Sequence, residues 1–475
     1  MSIFPLLIII FTSFLVGIIA RGKWRGWFLF LASILAIFWL QPASPIRHLD
    51  YWLPTTCIAL TIFSWVFTNP HGIEGLRKNL SALLTILSVL LMIGLTRYIE
   101  PICCITPTLP PSIDQIILIA LLMGVIILIT ARIINKQLAW IWGLTIIILV
   151  LFVIIKFEPL TKLASASLRS INSQSIGLAS AIDIRWLGFS YVAFRLMHTL
   201  RDRIHGRLPD LTLMEYVVYV IFFPAYSAGP IDRIQRFTND LHKQYQPSVN
   251  GYLQGGKRIF IGIFNKFVLA DGLALVALNS TNANQTNATG WLWIMLYAYA
   301  FRIYFDFSGY TDIAIGMGQL LGIQLPENFE RPYRKPNLTL FWNSWHITLA
   351  QWFRAYFFNP LTRSLRSSPR NLSLPLIIFI GQISTFTLIG LWHGITWNFA
   401  IWGAWHGLGL FFHNRWSDMV RSKSLLQNIH PTLKQILGLG STFLTFNYVS
   451  LGWVWFALVT PGQSWTLLQK LLGLS

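Results

Sequence analysis

Two histidines in this chain, His346 and His393, sit where a side chain could do chemistry. Imidazole gains and loses its proton closest to neutrality, so a neutral histidine beside a hydroxyl can act as a general base. His346 lies in LTLFWNSWHITLAQWFRAYFF, residues 338–358. Read as one helix, this segment puts Asn343 and His346 three apart on a shared face, with Arg354 as its only formal charge. Trp342, Trp345 and Trp352 add an aromatic wall. The plainer reading is an interfacial helix with an aromatic belt and a snorkelling Arg354. His393 lies in TLIGLWHGITWNFAIWGAWHG, residues 387–407, at the end of an apolar run between Gly390 and Gly394. Glycines there admit another backbone, or a ligand chain, at close range. The plainer reading is a packing histidine bonded to a carbonyl. A second Trp-His-Gly places His406 thirteen residues on, and along one helix it would face elsewhere than His393.

Other chemistries find little support. Asp306 and Asp312, in YFDFSGYTDIAIGMG, are the best candidates for buried carboxylates. Their spacing of six puts them on different helical faces, which favours a structural or pathway role over a catalytic pair. The chain has no phosphate loop, no HExxH pattern and no G-x-S-x-G elbow. No particular serine is marked out for a triad. Three cysteines, Cys57, Cys103 and Cys104, exclude a disulfide scaffold and a four-cysteine zinc site. No metal and no bound cofactor is expected. Asn279, Asn284, Asn287 and Asn337 fall in N-x-[ST] patterns, and three of them read as polar loop composition rather than glycosylation.

The elements that must hold these groups are membrane helices. Of 475 residues 54% are hydrophobic and 11% charged, and the mean hydropathy is +0.57. A soluble surface needs about a quarter of its residues charged, so soluble and disordered classes are excluded. Lys and Arg number 36 against 17 Asp and Glu, a formal +19, and they sit in short loops between apolar runs. That pattern suits lipid headgroups better than nucleic acid, with docking of an acidic partner as a second use. Apolar runs lie near 3–20, 25–41, 52–68, 79–96, 113–131, 138–155, 177–195, 211–227, 255–278, 291–322, 372–392, 395–412 and 435–459. Those near 177–195, 211–227 and 291–322 carry charges, Pro or Gly and are candidates for bent or re-entrant segments.

Charge placement favours an N-terminus outside. Arg21, Lys23, Arg25, Arg77, Lys78, Arg132, Lys136, Arg195, Arg201, Arg203 and Arg207 then fall inside, against Arg47, Arg97, Lys156, Lys162 and Arg169 outside. Residues 1–156 are plain apolar helices, whereas 180–413 place Asp, Arg, His, Asn and Gln in or beside apolar segments. Such groups are costly in lipid and mark a pathway or reaction centre. The chain therefore divides into N-terminal transmembrane helices, 1–170, and a part, 171–475, in which function is to be sought.

Several ordered blocks together resemble the membrane-bound O-acyltransferase family. They are FFPAYSAGPIDRIQRF (222–237), YFDFSGYTDIAIGMGQLLGIQLPENFERPY (304–333) and the two histidine segments, with the histidines 47 residues apart. Within the family the chain is similar to two bacterial groups, the alginate O-acetyltransferase membrane subunit and the D-alanyl transfer protein of teichoic acid synthesis. GPIDR leans to the second, SGYTDIAIGMG and RPY to the first. Members commonly carry Arg before the Trp-His pair, Asp after Trp-x-Arg and Gly-Gly after Pro-Leu. Here those positions hold Ser344, Ala355, Thr362 and Arg363, which bears on donor docking and substrate identity.

The resemblance implies an all-α, polytopic membrane protein of about eleven to thirteen transmembrane or re-entrant helices around a central funnel. It implies acyl transfer, with acetyl the first expectation, to hydroxyls of an extracytoplasmic polysaccharide from the bacterial inner membrane. D-alanyl transfer to a teichoic-acid-like polymer is the alternative. A channel passing acyl groups to a separate outer transferase is a third reading, from another class. The donor would be acetyl-CoA or an acyl carrier thioester, brought by an acidic carrier on the cytoplasmic side. Expected partners are membrane lipids, the polysaccharide acceptor and a periplasmic or extracellular acyltransferase, with no nucleic acid. His393 would be the principal catalytic histidine and His346 the second. Asn343 or His346 could donate to the oxyanion, and Asp306 and Arg354 could position substrate.

Overall fold

The computed structural model describes residues 3–19, 22, 24–99, 105–133, 137–246, 248–423 and 430–474. Arg21, Lys23, Lys136, Cys103 and Cys104, used in the sequence arguments, lie outside the described residues. The chain forms two compact units, Met1–Ile259 with Ile313–Leu325, and Phe260–Asp312 with Pro326–Ser475. Among the described residues there is no strand, only one isolated bridge, Phe329 to Trp345.

The first unit begins with α1 (Ile3–Ile19), α2 (Trp24–Trp39), α3 (Leu49–Thr68), the short α4 (Gly72–Lys78) and α5 (Leu80–Leu95). α6 (Ile113–Arg132), α7 (Gln137–Lys156) and the amphipathic α8 (Glu158–Ile171) follow. α3, α5 with its terminal turn, α6 and α7 are long and apolar enough to cross a membrane. α6 and α7 are largely exposed, as helices facing lipid are, whereas α3 is mostly buried among its neighbours. α9 (Phe189–Ile204) packs on α3, and α10 (Leu213–Ile221) packs on α2 and α3. Trp65, Tyr51, Tyr216, Tyr219 and Tyr226 are fully buried there. α11 (Ile234–His242) and α12 (Val249–Ile263) complete the order, α12 reaching into the second unit.

Two sequence expectations change here, and the interruption expected near 211–227 is present. The run near 177–195 is not a span. It forms two 3-10 turns, and α9 begins only at Phe189, after Gly188 in the left-handed region at φ 73°. Ser180 caps the second turn, and Asp183 accepts from Arg169 Nε and Ser165 Oγ at 2.8 and 2.6 Å, which holds the segment out of helix. Near 211–227 the helix stops at Ile221, before the 3-10 turn Phe223–Ala225 that contains Pro224. Two of the cations counted as inside-loop charges are buried structural groups. Arg195, within α9, donates to the Val220 and Ala225 carbonyls at 2.8 Å each. Arg25, in the first turn of α2, donates to the carbonyls of Leu321, Gly322, Asp240 and Lys243. Both guanidiniums satisfy carbonyls that helix ends leave unpaired.

In the second unit, α12 continues through a π-helical stretch, Phe264–Ala270, into α13 (Asp271–Ala274) and α14 (Asn282–Gln285). α15 (Thr289–Leu320) is one unbroken helix of 32 residues, whose last part belongs to the first unit. It is followed by α16 (Leu338–Trp342), α17 (Ile347–Phe353), a second π-helical stretch, Arg354–Phe358, and α18 (Asn359–Arg366). α19 (Leu374–His393) has the length and apolarity of a span, and α20 (Trp397–Ser422) returns against it. α21 (Pro431–Ala457) and α22 (Pro461–Leu471) close the chain. Glycine makes the α19–α20 pairing tight. A Cβ on Gly390 would strike the Phe399 carbonyl, and one on Gly403 the Phe386 carbonyl. The space beside Gly390 is therefore taken by another backbone and not by a ligand chain.

Candidate active site

His346 sits in a break between two short helices. Asn337 caps α16 by accepting from Leu340 N–H at 2.9 Å, and α16 ends at Trp342. The next residues pair with the chain before them: Glu330 N–H donates to the Ser344 carbonyl and Ile347 N–H to the Asn328 carbonyl, both at 3.0 Å. This pairing pulls residues 343–346 out of helix and leaves His346 at φ 44°. The single helix expected over 338–358 is therefore broken, and Asn343 and His346 do not share a helical face.

The partner of His346 is Asn328. Asn328 Oδ1 accepts from Thr348 N–H at 3.1 Å and from Thr348 Oγ1 at 2.9 Å, and lies 3.1 Å from His346 Nδ1. The two Thr348 donors fix this atom as the amide oxygen, so Nδ1 carries the imidazole hydrogen. Nε2 then holds the lone pair. It is buried and has no hydrogen-bond partner among the described residues. Phe307 stands edge-on to the ring at 4.6 Å between centroids, and Trp392 lies at 6.1 Å. Asn328 is fully buried. Sequence reasoning missed it: a lone asparagine in LPENFERPY carries no spacing signal toward a histidine 18 residues away.

His393 is the last residue of α19 and is half-buried. Its ring lies 4.5 Å from Trp392, 4.8 Å from Phe456 and 5.7 Å from Trp402. Trp392 thus touches both histidines. Gly394 is extended, and Thr396 caps α20 by accepting from Phe399 N–H. The helix is interrupted between His393 and His406, so helical phase does not separate them. Trp402 connects them instead, at 5.0 Å from His406. His406 is fully buried against Trp342 at 4.9 Å, and neither ring nitrogen has a partner among the described residues.

The remaining candidates lie elsewhere. Arg354 donates from Nη2 to Asn343 Oδ1 at 2.8 Å, and both residues are exposed. That bond uses the amide oxygen of Asn343 as acceptor. Asp306 is not buried as expected. Its side chain is 51% exposed and paired with Lys266 of the first π-helical stretch, because α15 turns that face outward. Asp312, on another face of the same helix, is half-buried. Among the described residues no cluster of three or more His, Cys, Asp and Glu could hold a metal ion.

Comparison with known proteins decides the family. Residues 132–440 match the family described as MBOAT, membrane-bound O-acyltransferase family. This chain belongs to that family. As a member of the membrane-bound O-acyltransferases it is an all-helical, polytopic integral membrane protein. The matched segment of this O-acyltransferase-family chain contains Asn328, His346, His393 and His406. The chain is 31% identical over 342 residues to a peptidoglycan O-acetyltransferase of Helicobacter pylori, covering 68% of this chain and 61% of the relative. It is 30% identical over 286 residues to a teichoic acid D-alanyltransferase of Streptococcus thermophilus, covering 58% and 68%. It is 32% identical over 295 residues to a probable alginate O-acetylase of Pseudomonas aeruginosa, covering 60% and 51%. The chain thus spans about three-fifths of the Helicobacter relative and about half of the Pseudomonas one.

Proposed function

We propose that this protein transfers an acyl group, acetyl in the first instance, from a thioester to hydroxyls of an extracytoplasmic polysaccharide at the bacterial inner membrane. The observation that carries the reading is the half-buried His393, joined through Trp392 to a His346 whose tautomer Asn328 holds. A hydroxyl is a weak nucleophile at neutral pH, so a base must take its proton as the oxygen attacks. His393 takes that proton. The new C–O bond forms at the thioester carbonyl and gives a tetrahedral oxyanion. Collapse breaks the C–S bond, and the imidazolium returns its proton to the thiolate. Neither candidate for the oxyanion donor is brought to His393: Asn343 is exposed and accepts from Arg354 at 2.8 Å, and His346 Nε2 carries the lone pair when Nδ1 faces Asn328.

The donor is acetyl-CoA or an acyl carrier thioester presented from the cytoplasm, with an outer acyltransferase as a further partner. The relatives named teichoic acid D-alanyltransferases favour a second reading, D-alanyl transfer from an acidic carrier. Membrane vesicles holding the chain, given labelled acetyl-CoA and polysaccharide, test the first. Label should reach the polysaccharide with wild type and not with His393→Ala. Transfer of D-alanine alone would select the second reading. Transfer that needs an added outer protein and survives His393→Ala would make the chain an acyl conduit.

A further inference from the structure

A cavity of about 920 Å³ in the second unit lies between α20, α21 and residues 336–338 at the start of α16. Trp416, Ser417, Val420 and Arg421 line it from α20, and Leu444 and Leu451 from α21. Trp416 is 61% and Leu444 69% exposed, so the cavity is an open groove. The facing ends of α20 and α21 carry Arg415, Arg421, Lys423 and Lys434, and Asp418, already paired with Arg415 at 2.8 Å, is the single carboxylate in residues 413–423 and 430–434. The groove thus runs from a cationic rim at Arg421, beside the Ser417 hydroxyl that lies 3.3 Å from His413 Nε2, to an open apolar stretch at Leu444 and Leu451.

We propose that this groove binds one anionic glycerophospholipid, its phosphate at Arg421 and Ser417 and an acyl chain between Val420 and Leu444. The charge at the rim selects the headgroup, and the volume fits a chain better than a second helix. The groove contains neither His346 nor His393, although Tyr448 in its wall lies 6.1 Å from the His406 ring, and its lipid binding does not depend on the acyl-transfer reading.

Native mass spectrometry of the full-length protein in mild detergent tests it, titrated with palmitoyl-oleoyl-phosphatidylglycerol or the phosphatidylcholine of the same chains. Wild type should bind one saturable equivalent of phosphatidylglycerol, unaffected by excess inorganic phosphate. Val420→Trp with Leu444→Trp should abolish that equivalent. Arg421→Gln, at an exposed position, should cut the preference for phosphatidylglycerol about fivefold, the equivalent of ~1 kcal/mol for one cation at headgroup level. Unchanged binding in both variants would overturn the proposal. So would displacement by phosphate alone, or a dimer that the tryptophans dissociate while lipid binding persists. If the double variant fails to fold, Arg421→Gln decides alone.

Discussion

Replacing Asn328 with alanine should damage the site without touching either histidine. Asn328 Oδ1 accepts from Thr348 N–H, Thr348 Oγ1 and His346 Nδ1, at 3.1, 2.9 and 3.1 Å, in a fully buried position. At ~1 kcal/mol net per bond the local cost is about 3 kcal/mol. The larger effect falls on His346, whose Nδ1–H loses its acceptor, so neither ring orientation nor tautomer is held. A misplacement of ~1 Å can cost about 10²-fold in rate, and a loss of that order is expected in kcat. Asn328→Asp keeps the acceptor and so recovers much of the activity. The assay is acyl transfer in membrane vesicles at matched protein abundance, with melting temperature measured in detergent. Wild-type kcat in Asn328→Ala, or an Asn328→Leu variant as active as Asn328→Asp, would refute the reasoning.

Further outcomes are expected from the same geometry. A Cβ on Gly452 would lie 2.5 Å from His406 Nε2, whereas one on Gly438 of the same helix meets nothing within 4 Å. Gly452→Ala should therefore destabilise by ~1–3 kcal/mol while Gly438→Ala is neutral or better, read as melting temperatures in detergent. Burial pushes the Asp183 carboxyl up, but bonds from Arg169 and Ser165 outweigh it and hold the carboxyl below its usual value. A depressed carboxylate stabilises the fold above its unfolded pKa of about 3.9 and loses that contribution as pH falls further. Wild type should thus lose stability below about pH 4. Asp183→Asn should show no such step and start ~3–5 kcal/mol lower, with Arg169 left buried and unpaired. Asp306→Asn removes an ion pair whose carboxylate is half exposed, so activity should stay within about twofold. A loss of several hundred-fold in transfer assays would instead make Asp306 part of the reaction.

The apolar helices were legible because each is decided by its own residues. α3, α5, α6, α7 and α19 fall within a few positions of the runs read from hydropathy. The segment at 177–195 misled because Ile182, Ile184 and Leu187 are apolar, while the Asp183 bonds that hold it in turns come from α8. The break at residues 343–346 was hidden for a similar reason. Helix propensity runs on through it, and what stops the helix is backbone pairing with Asn328 and Glu330. His346 and His393 stand out in the sequence by their type and their Trp-His setting. Their connection through Trp392, the role of Asn328 and the turn of Asn343 toward Arg354 are tertiary facts that no local spacing encodes. The phase argument for His406 assumed a continuous helix, and Gly394 to Thr396 interrupts it.

The central claim is that His393 serves acyl transfer onto an extracytoplasmic glycan. The most direct measurement is the ester content of envelope and exported polysaccharide, by mass analysis, in cells lacking this gene and complemented with wild type or His393→Ala at equal membrane abundance. The account predicts that deletion removes acetyl ester, that wild type restores it and that His393→Ala does not. Full restoration by His393→Ala would contradict the role of the histidine. An unchanged ester content on deletion would contradict the glycan-acylating function itself.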